Sequence, residues 1–230
     1  MQPFVALTAV ACPLPFANID TDQLIPARFM RRPRAAGYGP FLLHDVRRRP
    51  DGELDPEFPL NRPLYQDARI LVTRRNFGGG SSREAAVYAL ADFGFRVVIA
   101  PSFGDIFASN AVKNGVLPAL VEESVSEDLL AALASSAARA CSIDLPTQFI
   151  RVGEVATRFS IDPTWKQQLL NGWDDIDLTL NEAPAIAAFR TRDEAARPWA
   201  SPRRPKKGAP QDALPHAAQS DSKVLRLPVR

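Results

Sequence analysis

Apolar positions fall into short continuous runs separated by stretches of helical period. Residues 4–11 form an apolar run that predicts a strand, and a polar turn over 16–26 then enters a short apolar piece. Between 31 and 69 the pattern breaks down. Prolines, glycines and the basic runs Arg31-Arg32 and Arg47-Arg48-Arg49 predict a long, loop-rich excursion, of the kind that serves as a lid or contact surface. Regular patterning resumes with a strand over 69–73 and a helix from about Ser82 to Phe93. A strand over 96–100, a helix over 104–114 ended by Gly115, and a strand over 116–121 follow. Alternation of this kind predicts a parallel sheet with right-handed crossovers. Residues 127–136 read as a surface helix, and 142–144, 149–152 and 155–160 as a small antiparallel meander. A helix over 163–171 has Pro163 in its first turn and Gly172 past its end, and 182–191 is the last helix. The apolar period ends near Pro198, so the expectation is one domain over 1–197 and a disordered tail over 198–230.

Composition sharpens this outline. A chain of 230 residues with 46% apolar positions can bury a sizeable core. No run of 18 apolar residues exists, which excludes a spanning helix. The start lacks the basic and apolar regions of a signal peptide, so a cytoplasmic protein is expected. Two cysteines, Cys12 and Cys141, cannot build a disulfide framework, an iron–sulfur cluster or a structural zinc site by themselves. The formal charge of +2 suggests nucleic acid until it is mapped. Residues 1–197 hold 21 Lys+Arg against 24 Asp+Glu, a net of −3, and residues 198–230 hold 7 against 2, a net of +5. The positive balance belongs to the tail, and neither nucleic acid nor a membrane is an expected partner.

The chemistry concentrates in Asn76-Phe-Gly-Gly-Gly-Ser-Ser-Arg-Glu84, between a strand and a helix. Three glycines let the backbone approach a ligand, and a helix start welcomes an anion. Arg83 adds a planar fork matched to a carboxylate or phosphate. Two readings compete: a small-anion site, or a capping box in which Ser81 caps the helix and Glu84 answers it. A nucleotide P-loop is not matched, because no Gly-Lys-Ser/Thr ends the segment, and the glycines lack the spacing of a dinucleotide fingerprint. His44 and His216, the two histidines, do not suggest a metal site or a hydrolytic triad.

Three segments in order carry a more specific signal: Asn18-Ile-Asp-Thr-Asp-Gln-Leu-Ile-Pro26, the loop 76–84, and Asp92-Phe-Gly-Phe-Arg-Val-Val-Ile-Ala-Pro-Ser-Phe-Gly-Asp-Ile-Phe107. Together with Trp173-Asp-Asp-Ile-Asp-Leu-Thr-Leu180 they closely resemble the small subunits of 3-isopropylmalate dehydratase, in the aconitase superfamily. The resemblance runs from about Phe4 to Phe189. It implies an α/β fold, a three-layer β/β/α swivelling domain with a largely parallel central sheet. It also implies a separate large subunit carrying a [4Fe–4S] cluster, so that this chain binds no metal itself. The implied reaction is reversible dehydration and rehydration of 2-isopropylmalate through isopropylmaleate to 3-isopropylmalate, a step of leucine synthesis.

By the same resemblance Ser81 matches the serine that acts as base next to a carboxylate, and Arg83 the arginine that grips a substrate carboxylate. Ser82 lines the pocket. Asp20, Thr21 and Asp22 fall near it, although the two aspartates equally suit a simple turn. Arg28, with Arg31 and Arg32, lies in the loop that contributes to substrate choice, where a solvated basic loop is the plainer reading. The chain departs from the family's Gly-Cys-Gly-Ser-Ser-Arg-Glu-His pattern: Gly79 stands for the cysteine and Ala85 for the histidine. These departures keep two alternatives open, a related hydratase for a citramalate, dimethylmalate or homocitrate type of acid, and a non-catalytic paralogue.

Overall fold

The computed structural model describes residues 1–135 and 140–200. Contacts divide the chain into two units, Met1–Glu182 and Ala183–Arg230. The tail expected from 198 lies, from 201 onward, outside the described residues.

The first unit is built on one seven-stranded sheet of order β4-β3-β2-β1-β5-β6-β7. Its strands are β1 (Ala6–Leu14), β2 (Ile70–Thr73), β3 (Val97–Ala100), β4 (Leu117–Leu120), β5 (Ala140–Asp144), β6 (Phe149–Val152) and β7 (Val155–Arg158). The expected parallel core is β4-β3-β2-β1, with Ala11 opposite Ile70, Val97 opposite Ile70 and Leu117 opposite Val97. Strand β1 then turns its other edge to β5, and β5, β6 and β7 continue as the expected antiparallel meander. The sheet curls until its edges meet: Leu120 N–H donates to the Ser160 carbonyl at 3.0 Å and Ser160 N–H to the Leu120 carbonyl at 2.7 Å. Pro118, which has no N–H to give, sits on this edge strand.

Strands β2 and β3 are buried on both faces, which is why they read as unbroken apolar runs. Leu71, Val98 and Ala100 face one core with α2 (Glu84–Phe93) and α3 (Asp105–Lys113). Ile70, Val72, Val97 and Ile99 face the other, with α4 (Glu123–Ser135) and α5 (Pro163–Asn171). Helix α4 starts four residues before the predicted point and is not merely superficial. It buries Ser126, Leu129, Leu130 and Leu133 and touches β1, β2, β3, β6 and β7, so it plugs the concave side of the curl.

The excursion is ordered by burial rather than by local periodicity. After a 3-10 turn at Ala27–Arg31 it winds through four more, Arg34–Ala36, Gly39–Phe41, Pro59–Asn61 and Pro63–Tyr65. Tyr38, Leu42, Leu43, Phe58, Leu60 and Tyr65 from this stretch join the core beside α2. Helix α5 has the predicted ends: Asp162 accepts from Thr164 N at 2.8 Å, and Gly172 closes it at φ +72°. A helix missed by the sequence reading, α6 (Asp175–Asn181), is held by a capping box between Asp174 and Asp177. In the second unit the last helix, α7, spans Ala183–Ala196 and extends past the predicted end at 191. Among the described residues no helix is long and apolar enough to cross a membrane.

Candidate active site

The three sequence segments meet at the carboxyl ends of β1, β2 and β3, the edge at which open α/β sheets bind ligands. The first segment leaves β1 and folds over the glycine loop that leaves β2. Gly78 N–H donates to the Ile19 carbonyl at 2.6 Å, and Thr21 N–H to the Gly79 carbonyl at 3.0 Å. The third segment leaves β3 on the other side. Phe77 N–H reaches the Ser102 carbonyl at 3.0 Å, and Gly104 N–H reaches the Phe77 carbonyl at 2.9 Å. The glycine loop is thus clamped between two neighbouring chain segments.

That clamp explains two of the glycines. Gly78 has φ +72°, and a Cβ there would lie 2.2 Å from Cγ of Phe107, inside its ring contact. Gly104 packs so tightly that a Cβ would meet the Gly78 carbonyl oxygen at 2.5 Å. At Gly79 the conflict would be with the far end of a side chain, Oδ1 of Asn76, at 2.9 Å.

The helix after the loop starts later than predicted. Arg83, not Ser81, is the N-cap of α2, and no side chain caps it. The capping-box reading of Ser81 and Glu84 is therefore wrong. Arg83 N–H bonds back to the Ser81 carbonyl at 2.8 Å, ahead of the helix. Ser81 and Ser82 are exposed, and the Ser81 hydroxyl is left with no helix-capping duty.

Around them, Thr21 is buried and its hydroxyl donates to the Ser81 carbonyl at 3.0 Å. Arg83 is mostly buried and pairs through Nη1 with the exposed carboxylate of Asp22. This pair orients the guanidinium through Nη1, and among the described residues Nε and Nη2 have no other hydrogen-bond partner. Asp20 is committed elsewhere: its carboxylate caps α1 (Thr21–Leu24) by accepting from Gln23 N at 2.7 Å, and Gln23 Oε1 accepts from Asp20 N at 3.1 Å. For Asp20 the structure thus supplies the turn-forming role. Arg28 belongs to a separate cluster with Asp45 of the excursion. Its guanidinium is held by Asp45, lies 4.5 Å from the Phe29 ring centroid, and pulls the Asp45 carboxyl down to about 2.

Ser102 was not singled out by sequence reasoning, yet its hydroxyl accepts the Asn76 N–H at 2.8 Å. The only signal for it was its place in the third segment. Two cavities flank Ser81 and Ser82 without including them. One of about 530 Å³ runs between the excursion and α4, and one of about 390 Å³ is lined by Arg75, Ser102, Glu123 and Arg158. Ser81 and Ser82 stand on open surface. Among the described residues no three His, Cys, Asp or Glu side chains converge to hold a metal, and both cysteines are buried.

A curled sheet with a glycine-serine-arginine loop at its carboxyl edge defines the class: residues 1–124 match the aconitase C-terminal domain. Residues 175–203 match the C-terminal domain of the 3-isopropylmalate dehydratase small subunit. Proteins named 3-isopropylmalate dehydratase small subunit from Dinoroseobacter shibae and Jannaschia sp. are 45% and 48% identical to it, over 86% of this chain and 100% of theirs. The chain belongs to the family of 3-isopropylmalate dehydratase small subunits. A crystal structure of the 3-isopropylmalate dehydratase from Methanocaldococcus jannaschii shares the fold, with a TM-score of 0.56 at 22% identity over 80% of this chain and 99% of that one.

Proposed function

We propose that this chain supplies the swivelling-domain half of a cytoplasmic 3-isopropylmalate dehydratase and acts with a large subunit in leucine synthesis. The observation that carries the reading is the convergence of 18–26, 76–84 and 101–104 on one edge, with Ser81 and Ser82 exposed and Arg83 oriented beside them. An exposed serine is a poor base in water, because nothing there stabilises an alkoxide. A second chain closing over this edge would exclude water and strengthen every charge interaction inside.

In that closed site the fork of Arg83 takes a substrate carboxylate. Ser81 Oγ takes the proton from the carbon next to a carboxylate, and the charge developing on that carboxylate falls to Arg83. The hydroxyl leaves the neighbouring carbon as hydroxide, giving isopropylmaleate; that hydroxide and the proton now on Ser81 together make up the one water removed. Water then adds across the double bond in the opposite sense, with Ser81 returning the proton to the other carbon. A [4Fe–4S] cluster bound on the large subunit would supply the Lewis acid for the departing hydroxyl; the described residues of this chain offer it no ligand set. Thr21 fixes the Ser81 main chain, Asp22 aims Arg83, Ser82 lines the pocket, and Asp20 acts by shaping the turn. Arg28, held by Asp45 next to the first segment, is assigned to the far end of the substrate.

The test is turnover by the chain co-expressed with its large subunit and reconstituted without oxygen. It should convert 2-isopropylmalate faster than citramalate, dimethylmalate or homocitrate. Faster turnover of one of those acids, or none of any, would refute the assignment.

A further inference from the structure

We propose that Asn18 and Asn76 form a clasp that positions Ser81 and Arg83, an inference that rests on the reading of Ser81 as the base. Both asparagines sit in the left-handed region at φ +59°. Leu43 and Gln148 are the other non-glycine residues there among those described. The two asparagines face each other across 58 residues of sequence, and Asn76 Nδ2 donates to Asn18 Oδ1 at 3.0 Å. Each backbone is held a second time: Asn18 N–H by the Arg75 carbonyl at 2.9 Å, and Asn76 N–H by the Ser102 hydroxyl at 2.8 Å. Strained backbone of this kind persists where surrounding bonds over-determine it, and it clusters at functional sites.

The clasp stands at the root of the site. Beyond it come, in order, the bonds of Gly78 to Ile19, Thr21 to Gly79 and Thr21 to Ser81. The Asn18–Asn76 pair thus ties together the bases of the two loops whose further contacts, Thr21 to Ser81 and Arg83 to Asp22, set the site residues against the first segment. Both asparagines are exposed, so their hydrogen bond adds little to stability. What it fixes is the relative placement of two loops, and a catalytic group misplaced by about 1 Å loses on the order of 100-fold in rate.

The experiment compares Asn18→Ala, Asn76→Gly and Asn18→Asp in the reconstituted holoenzyme, with Ser81→Ala alongside. Asn76→Gly accepts φ +59° without strain but has no amide to donate. Asn18→Asp keeps an acceptor for Asn76. The expected result is kcat lower by about 10- to 100-fold for Asn18→Ala and Asn76→Gly, with KM changed by less than about threefold. Asn18→Asp should restore kcat to within about threefold of the parent, and Asn76→Gly should melt within about 2 °C of it. The clasp is overturned if Asn18→Ala and Asn76→Gly keep kcat within about twofold, or if Asn18→Asp falls with them. Full turnover by Ser81→Ala would remove the underlying reading and the clasp with it. Loss in Ser81→Ala with unaffected asparagine variants would refute the clasp alone.

Discussion

Replacing Gly78 by alanine should destabilise the protein out of proportion to one methyl group. Two effects add. The backbone at φ +72° costs a residue with a Cβ about 1–2 kcal/mol. The new Cβ would also lie 2.2 Å from Phe107 Cγ and 2.7 Å from its Cβ. Phe107 cannot swing away freely, because it is buried, lies edge-on to Phe77 at 5.3 Å and is stacked with Phe103 at 6.3 Å. Gly78 cannot retreat either without stretching its 2.6 Å bond to Ile19. Overpacking of this kind costs about 1–3 kcal/mol, so the loss should total about 3 kcal/mol. For a unit of this size that is a fall of about 6–12 °C in melting temperature. Thermal and urea unfolding of the chain measure it, with Gly52→Ala as the control. Gly52 has φ +87° and open space around it, so that variant carries the backbone cost alone. If Gly78→Ala melts no lower than Gly52→Ala, the packing argument for the loop is wrong.

Both thiols are pushed up to about 12 by burial, so at pH 8 neither Cys12 nor Cys141 should react with a thiol reagent in the folded chain, and both should react in urea. A native thiol reacting at the rate of a free cysteine would contradict their placement. Asp45 has its folded pKa lowered from 3.8 to about 2, first by its hydrogen bond from Arg28. Its stabilisation is therefore present above pH 3.8 and is lost as pH falls from there to about 2. Because the side chain is half exposed, Asp45→Asn should cost less than about 1 kcal/mol at pH 7. That difference should shrink steeply as melts are taken down through about pH 2, the folded pKa. A difference that persists there would mean the ion pair is not its source.

Much of the scaffold was legible because its signals are local. The doubly buried strands at 70–73 and 97–100 announce themselves as apolar runs, and the start of α5 is written in Asp162-Pro163. Helix α6 is equally local: Asp174 and Asp177 are three apart, as a capping box requires. The burial of Tyr38, Leu42, Phe58 and Tyr65 was not legible, because each is isolated among prolines and polar residues and gains its partners from α2 and β1. The Leu120–Ser160 closure is likewise non-local. The site divides the same way. Ser81 and Arg83 stand out in their own segment, whereas Thr21 holding Ser81, Asp22 holding Arg83 and Asn18 meeting Asn76 each join residues some 60 positions apart. Those pairs appear only once β1 and β2 lie side by side. The capping reading of Ser81 failed for a related reason: the loop's path is set by its clamps to Ile19 and Ser102, not by the helix it precedes.

The most direct test of the account is kcat of the reconstituted holoenzyme carrying Ser81→Ala, measured at saturating 2-isopropylmalate beside the parent. Co-purification of the large subunit verifies that assembly is intact. A serine that takes the proton predicts a fall of about 100- to 10,000-fold in kcat with little change in KM. Turnover within about twofold of the parent, in a fully assembled enzyme, would contradict the assignment of Ser81 as the base.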